Sequence, residues 1–345
     1  MSREIAFSAI NIAMEKDKSS GLLFYGGEPL LEKQLIYDIV DYTENIKKKT
    51  GHNFFYKITT NGTLLDEEFI KFARDVNMPV NFSHDGISQD ECRLFYNGSG
   101  SFEMLNEKIR LLLEYHPYAV AMIVADPSTV YKAAENVEFL YDKGFKYITF
   151  NLNYSKNAPW TRKLLSVLEG EYKKMAKMYI QRMSDEQKIY LSPFDMKIIS
   201  HLKGEKYSAD RRLVNREQPS VAPDGRIYSI SKHINDPEFS IGDVFSGIDS
   251  VKRELLDKKG GELLNPCREC AIRTRCNYAY DNLSRCGKEI FTEVSPVQCM
   301  HEKMLTPIAD HVAETLYNKR SPLFIHKHYN KQYPLISLLE DFKPG

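Results

Sequence analysis

From its start to about Asp185 the chain alternates short apolar runs with amphipathic runs of helical period, and this alternation restricts it to a sheet of parallel strands with helical crossovers. A helix is predicted over residues 2–16, with Ile5, Ala9, Ile12 and Ala13 on one face. Strands follow at 22–25, 54–60, 80–83, 118–125 and 147–152. Between and after them the period predicts helices at about 30–49, 65–76, 103–115, 128–143 (capped by Ser128) and 160–183. The strands are too short, and the connections too long, for hairpins, so right-handed βαβ units are expected. The count is five strands, and the sequence opens on a helix where such a sheet ordinarily opens on a strand. The expectation is therefore a parallel sheet, or a barrel, whose first strand is missing from the sequence.

Beyond residue 190 the pattern changes. Val221–Ile230 reads as a β-hairpin whose turn is Pro223-Asp224-Gly225, and Ser240–Val244 as a further extended piece. Helices are predicted near 246–257 and 301–318, before an aromatic, basic tail from Ser321 to Gly345. The chain then divides into a parallel βαβ region over 1–190, a bridging segment over 191–260 and a cysteine domain with its tail over 261–345.

Composition sets limits on function. With 345 residues, 47 Lys+Arg against 47 Asp+Glu, and 12% aromatics, the chain has the make-up of a folded globular protein. It lacks the positive field that collects phosphates, so no nucleic-acid partner is expected. Apolar runs such as Ala119–Ala125 are too short to span a bilayer, and no apolar leader core is present; a cytoplasmic protein without a membrane partner is expected. Five of the six cysteines (Cys267, Cys270, Cys276, Cys286 and Cys299) crowd into one segment. A disulfide scaffold would distribute pairs through a small secreted domain, so this clustering points to metal. Cys92 stands alone and reads as a buried apolar thiol.

Three consecutive strands end in unusual loops: Gly26-Gly27-Glu28-Pro29, Thr59-Thr60-Asn61-Gly62 and Ser83-His84-Asp85-Gly86. Ligands of parallel sheets and barrels bind at the C-terminal ends of strands. Tandem glycines let backbone carbonyls approach a ligand, and Glu28 adds fixed negative charge. Such a site suits an ammonium group better than a phosphate. His84 reads either as a substrate contact or as a satisfied loop histidine, Trp160 as a packing or capping residue, and Met175, Met178 and Met183 as core.

The run FYGGEPLL resembles the Gly-Gly-Glu-Pro motif of radical S-adenosylmethionine (SAM) enzymes, and TTNGTLL, FSHDG and ECRLFYNGSGSF resemble the segments that follow it in that superfamily. The resemblance implies a partial parallel (β/α)6 TIM-like barrel. It implies that Gly26, Gly27 and Glu28, with Pro29, hold the methionyl amino group, while Thr60, Asn61, Ser83 and Asp85 line the SAM or substrate side. Cys267-x2-Cys270-x5-Cys276, with Cys299 downstream, resembles the second auxiliary cluster site of SPASM-type domains in peptide maturases. Four thiolates at this spacing suit one [4Fe–4S] cluster, and their geometry equally allows a four-thiolate zinc site. Cys286 is the alternative fourth ligand.

The sequence departs from the family pattern in two places. Ile230, residues around Asn215–Gln218, and Tyr280 stand where the ligands of a first auxiliary cluster are expected, which leaves one auxiliary cluster at most. No C-x3-C-x2-C triplet for the SAM-reducing [4Fe–4S] cluster occurs among the 345 residues, so that cluster is expected only in a longer form. The implied activity is hydrogen abstraction by a 5′-deoxyadenosyl radical from a ribosomal peptide, forming for example a thioether or carbon–carbon crosslink, with a flavodoxin or ferredoxin as reductant. The chain as given is expected to be inactive for want of the triplet. Two alternatives are a non-catalytic SAM- or peptide-binding protein and a zinc-stabilised interaction protein.

Overall fold

The computed structural model describes residues 1–15, 17–155, 157–204, 206–207, 217–287, 289–330 and 332–333. Its main element is a parallel six-stranded sheet in the order β1 (Ser19–Phe24), β2 (Asn53–Thr60), β3 (Val80–Ser83), β4 (Val120–Ala125), β5 (Tyr147–Leu152) and β6 (Tyr190–Leu191). The helices of this region are α1 (Arg3–Ala13), α2 (Lys33–Thr50), α3 (Glu67–Asp75), α4 (Gln89–Cys92), α5 (Phe102–Tyr115), α6 (Ala133–Asp142), α7 (Arg162–Ser184) and α8 (Ser192–Lys203). Spatial order equals chain order. That order never reverses direction, unlike the order of a doubly wound sheet. The sheet has six strands where the hydrophobic pattern gives five, because β6 is two residues long and too short to show a period.

The chain forms two compact units, Met1–Ile58 with Gly204–Gln298 and Thr59–Lys203 with Cys299–Gly345. In the first, β1 and β2 run parallel, with Ser20 opposite Phe54 and Phe24 opposite Ile58. Helix α2 ends on Gly51 in the left-handed conformation (φ +76°), whose N–H satisfies the Lys47 carbonyl. A four-stranded antiparallel sheet runs β10-β9-β8-β7, built from β7 (Ser220–Val221), β8 (Arg226–Tyr228), β9 (Ser240–Asp243) and β10 (Gly247–Ile248). The predicted hairpin is present, with Gly225 at φ +93° in its turn. Ile227, Tyr228, Phe239 and Ile241 form the core of this region, and Ile5, Ala9 and Ile12 of α1 pack against it. The helix predicted at 246–257 starts later, as α9 (Ser250–Gly261), because Gly247 and Ile248 pair with β9 and Asp249 caps the helix by accepting the Lys252 N–H. The short α10 (Asn265–Arg268) follows.

In the second unit the expected core forms. Val80, Phe82, Ala121, Ile123 and Ile148 are buried along β3 to β5, as are Met175 and Met183 of α7, whereas Met178 is only half-buried. Helix α6 begins at Ala133 after a 3₁₀ turn over Val130–Lys132, not at the Ser128 cap read from the sequence. The Ser128 N–H and hydroxyl both donate to Asp126 instead, which organises the turn after β4. Trp160 donates its indole N–H to the Asn153 carbonyl at 2.7 Å. Cys92 is exposed, not buried, because it ends the four-residue α4; its thiol faces the Thr129 hydroxyl. Helices α11 (Pro296–Asn318) and α12 (Pro322–Tyr329) complete the described chain.

Candidate functional site

In the first unit, β1 ends at Phe24 and the chain passes through Tyr25 into Gly26 and Gly27, both exposed. Gly26 sits at φ +150°, and a Cβ built on either glycine meets nothing within 4 Å. Space beside the backbone here is open, the condition for a ligand to reach main-chain carbonyls. Glu28 is half-buried and caps the 3₁₀ turn Pro29–Glu32, its Oε1 accepting the Leu30 N–H at 3.0 Å. Pro29 takes the first position of that turn, where no N–H is needed. The carboxylate is thus held in place while retaining acceptor capacity for a cationic group.

The second unit holds the other two loops. The Thr60 hydroxyl accepts the Gly62 N–H, and Asn61 Oδ1 accepts both the N–H and the hydroxyl of Thr63. Gly62 lies at φ +78°, with a hypothetical Cβ only 2.3 Å from the Phe82 ring, so no other residue fits. Lys108, from α5, donates to the carbonyls of Gly62 and Thr63 and clamps the loop.

The loop after β3 is braced at every residue. Ser83 closes the strand, half-buried. His84 is fully buried; its Nδ1 accepts the Gly86 N–H at 3.0 Å, while Nε2 has no partner among the described residues. Its ring lies among Phe82, Phe102 and Phe139. Burial, reinforced by the Arg93 charge, lowers its pKa to about 4. The Asp85 carboxylate is 3% exposed and accepts from Arg93 at 2.6 Å and from the Val124 N–H at 2.9 Å. Gly86 (φ +66°) presses on Asn136, whose side chain in turn accepts the Ser88 N–H. Asp85 therefore acts as a brace between this loop and β4.

The strand ends of β4 and β5 add polar groups that no sequence motif marks. Asp126 follows β4, Asn153 follows β5, and the Asn153 amide donates to the Asp126 carboxylate at 2.8 Å. Partial burial pushes the Asp126 carboxyl up, but the bonds from Ser128 and Asn153 prevail and hold it below the usual range. Arg93, Lys108 and Asn136 are likewise invisible in sequence, because each acts on residues that lie beyond its own element.

The cysteine segment begins in α10 with Cys267. The Cys270 N–H donates to the Cys267 carbonyl, the Cys276 N–H to the Ile272 carbonyl, and the Tyr278 N–H to Cys276 Sγ. Cys267 Sγ accepts from Arg285 Nη2 at 3.5 Å, and Cys286 Sγ from Lys232 Nζ at 3.4 Å. Cys299 is half-buried in the first turns of α11. Among the described residues no group of three or more His, Cys, Asp or Glu side chains is arranged to hold a metal ion. The donor chemistry nevertheless fits an anionic metal–thiolate group, since two of the thiols already receive bonds from cationic side chains. Ile230 and Tyr280 are half-buried; Asn215 and Arg216 lie outside the described residues, as does the tail from residue 334.

Residues 4–140 match the family profile of the radical SAM superfamily. An uncharacterized protein of Methanocaldococcus jannaschii is 31% identical over 154 residues, 44% of this chain and 53% of that protein. A cysteine-type anaerobic sulfatase-maturating enzyme of Clostridium novyi is 29% identical over 140 residues, 39% of this chain and 37% of the enzyme. The chain thus spans about half the length of the first relative and just over a third of the second. Among solved structures, native anSMEcpe with bound AdoMet and the Kp18Cys peptide shares the fold, with a TM-score of 0.76 at 17% identity over 92% of this chain and 91% of that one. The chain carries a radical SAM domain over residues 4–140 and is homologous to the anaerobic sulfatase-maturating enzymes.

Proposed function

We propose that the chain is the SAM-binding and cysteine-bearing part of a radical SAM enzyme that modifies a peptide. The observation that carries this reading is the succession of Gly26-Gly27-Glu28-Pro29, Thr60-Asn61-Gly62 and Ser83-His84-Asp85-Gly86 at the ends of three successive strands, inside the segment that matches the family. SAM, when bound, supplies hydrogen-atom abstraction, and the protein contributes orientation and exclusion of water. Gly26 and Gly27 offer carbonyls to the methionyl ammonium, and Glu28 supplies its counter-charge. Thr60, Asn61 and Ser83 line the SAM or substrate side. Asp85, locked by Arg93, keeps that loop from moving as substrate enters. Asp126 and Asn153 offer acceptor and donor to peptide amides.

Cys267, Cys270 and Cys276, with Cys299 or Cys286, are proposed to hold one [4Fe–4S] auxiliary cluster. The electron donor is a flavodoxin- or ferredoxin-like protein. No helix among the described residues is long and apolar enough to cross a membrane. The proposed setting is the cytoplasm, with neither nucleic acid nor membrane as partner.

Anaerobic SAM binding by equilibrium dialysis tests the pocket. Gly26→Val removes the glycine-only conformation and fills the open space, so affinity is expected to fall at least about tenfold, a loss of roughly 1.4 kcal/mol. Equal binding by wild type and variant, or none by either, sinks the reading. The 345 residues supply no C-x3-C-x2-C triplet, so this polypeptide by itself is expected to release no 5′-deoxyadenosine. After anaerobic reconstitution about four irons with matching sulfide per chain are expected. One zinc and no iron would favour the zinc-stabilised interaction protein instead.

A further inference from the structure

Arg285 is the largest fully buried side chain in the described chain, 1% exposed, and it has no carboxylate partner among the described residues. A guanidinium carries five N–H donors and is always charged. Nε donates to the Tyr278 carbonyl at 3.0 Å, and Nη2 to the Ala279 carbonyl and to Cys267 Sγ. Nη1 is buried with no partner among the described residues. A buried cation compensated only by neutral carbonyls and a thiol is unfavourable, because its lost hydration is not replaced by an opposite charge. Lys232 repeats the pattern at the next residue. It donates to the carbonyls of Ser284 and Arg285 and to Cys286 Sγ, again with no carboxylate among its described partners. Two cations are thus delivered to two thiols of one short segment, one of them at the cost of full burial.

We propose that Arg285 is a positioning residue built for an anionic metal–thiolate centre at Cys267, neutralising part of its charge and fixing the Cys267 sulfur through Nη2. A metal held by four thiolates carries net negative charge whether it is zinc or an iron–sulfur cluster. Arg285 therefore gains its missing counter-charge only when the centre is formed. The proposal rests on the reading of Cys267 as a metal ligand and does not depend on which metal the centre holds.

The test compares wild type, Arg285→Gln and Arg285→Lys in the full chain, with Cys267→Ser as the ligand-loss control. Zinc affinity is measured by competition with a chromophoric chelator, and iron and sulfide are counted after anaerobic reconstitution. Arg285→Gln is expected to weaken zinc binding by about 10- to 100-fold, the usual effect of losing a residue that supports a metal ligand. Arg285→Lys keeps the charge but lacks the Nη2–H that fixes the Cys267 sulfur, and should lose clearly less affinity than Arg285→Gln. The thermal midpoint of each metal-free chain separates a folding defect from a loss of metal support. Equal affinity in wild type and Arg285→Gln overturns the proposal. So does an equal loss in Arg285→Lys and Arg285→Gln, which would mark the guanidinium as a purely structural brace. Zinc binding that responds to Arg285 without iron uptake would sink the cluster reading and leave this proposal standing. No metal uptake by wild type sinks both.

Discussion

His84 shows how a loop of the site is held by a side chain that touches no solvent. Its imidazole must stay neutral, since Nδ1 accepts the Gly86 N–H and burial disfavours the charged ring. Folded, it titrates at about 4; unfolded, near the ordinary 6.5. Between those values the unfolded chain takes up a proton that the folded chain does not, so stability is full above pH 6.5 and falls as the pH drops through this window. At pH 5 this one residue should cost about 2 kcal/mol. Urea unfolding at pH 7 and pH 5 reads the effect. His84→Asn keeps an acceptor for Gly86 and removes the titration, so the variant should lose this part of the difference between the two pH values. An unchanged difference would show that the acid sensitivity arises elsewhere. The motif around His84 is plain in the sequence, but the bonds of its loop to Arg93 and Asn136, and from the Asp85 N–H to Gln89 Oε1, are not. The Asn136 brace comes from 48 residues away and leaves no periodic trace.

Elements are legible where the physics is local. Strands β1 to β5 are apolar runs bounded by turn residues, and each lies within a few residues of its predicted place. The two-residue β6 is not legible, since its position is set by side chains outside the strand. The Leu191 N–H is taken by the Asp195 carboxylate, and the Ser192 hydroxyl accepts the Phe150 N–H of β5. The link between helices α8 and α11 is equally hidden. Lys197 and Glu302 meet at 2.6 Å with side chains 1% and 2% exposed. Their separation by 105 residues defeats any reading of spacing. Glu302→Gln removes the carboxylate that lies 2.6 Å from the buried ammonium, which should destabilise the chain by about 3 kcal/mol. Lys197→Met combined with Glu302→Leu should recover most of that loss, because two apolar residues of similar size need no charge partner. Chemical denaturation of the single and double variants checks both expectations, and a single variant as stable as wild type would contradict them.

At the scale of the molecule, continuity along the chain does not coincide with compactness in space. Reading the sequence from its start places a boundary near residue 190, where the alternating pattern ends. Compactness instead joins Met1–Ile58 to Gly204–Gln298, and Thr59–Lys203 to Cys299–Gly345. The reason lies in α1, whose Ile5, Ala9 and Ile12 lie on one face in the sequence and pack against the cluster around Tyr228 and Ile241. A hydrophobic period says that a face is buried and says nothing of what buries it. A fragment cut after Tyr190 would leave α1 without the antiparallel region that covers its apolar stripe. That fragment should therefore bind a hydrophobic dye and show rapid amide exchange along α1, while the full chain protects the same amides. Protection of α1 in the fragment equal to that in the full chain would mean that the segment up to Tyr190 folds as a domain of its own, and that the contacts of α1 with the antiparallel region add little to its stability.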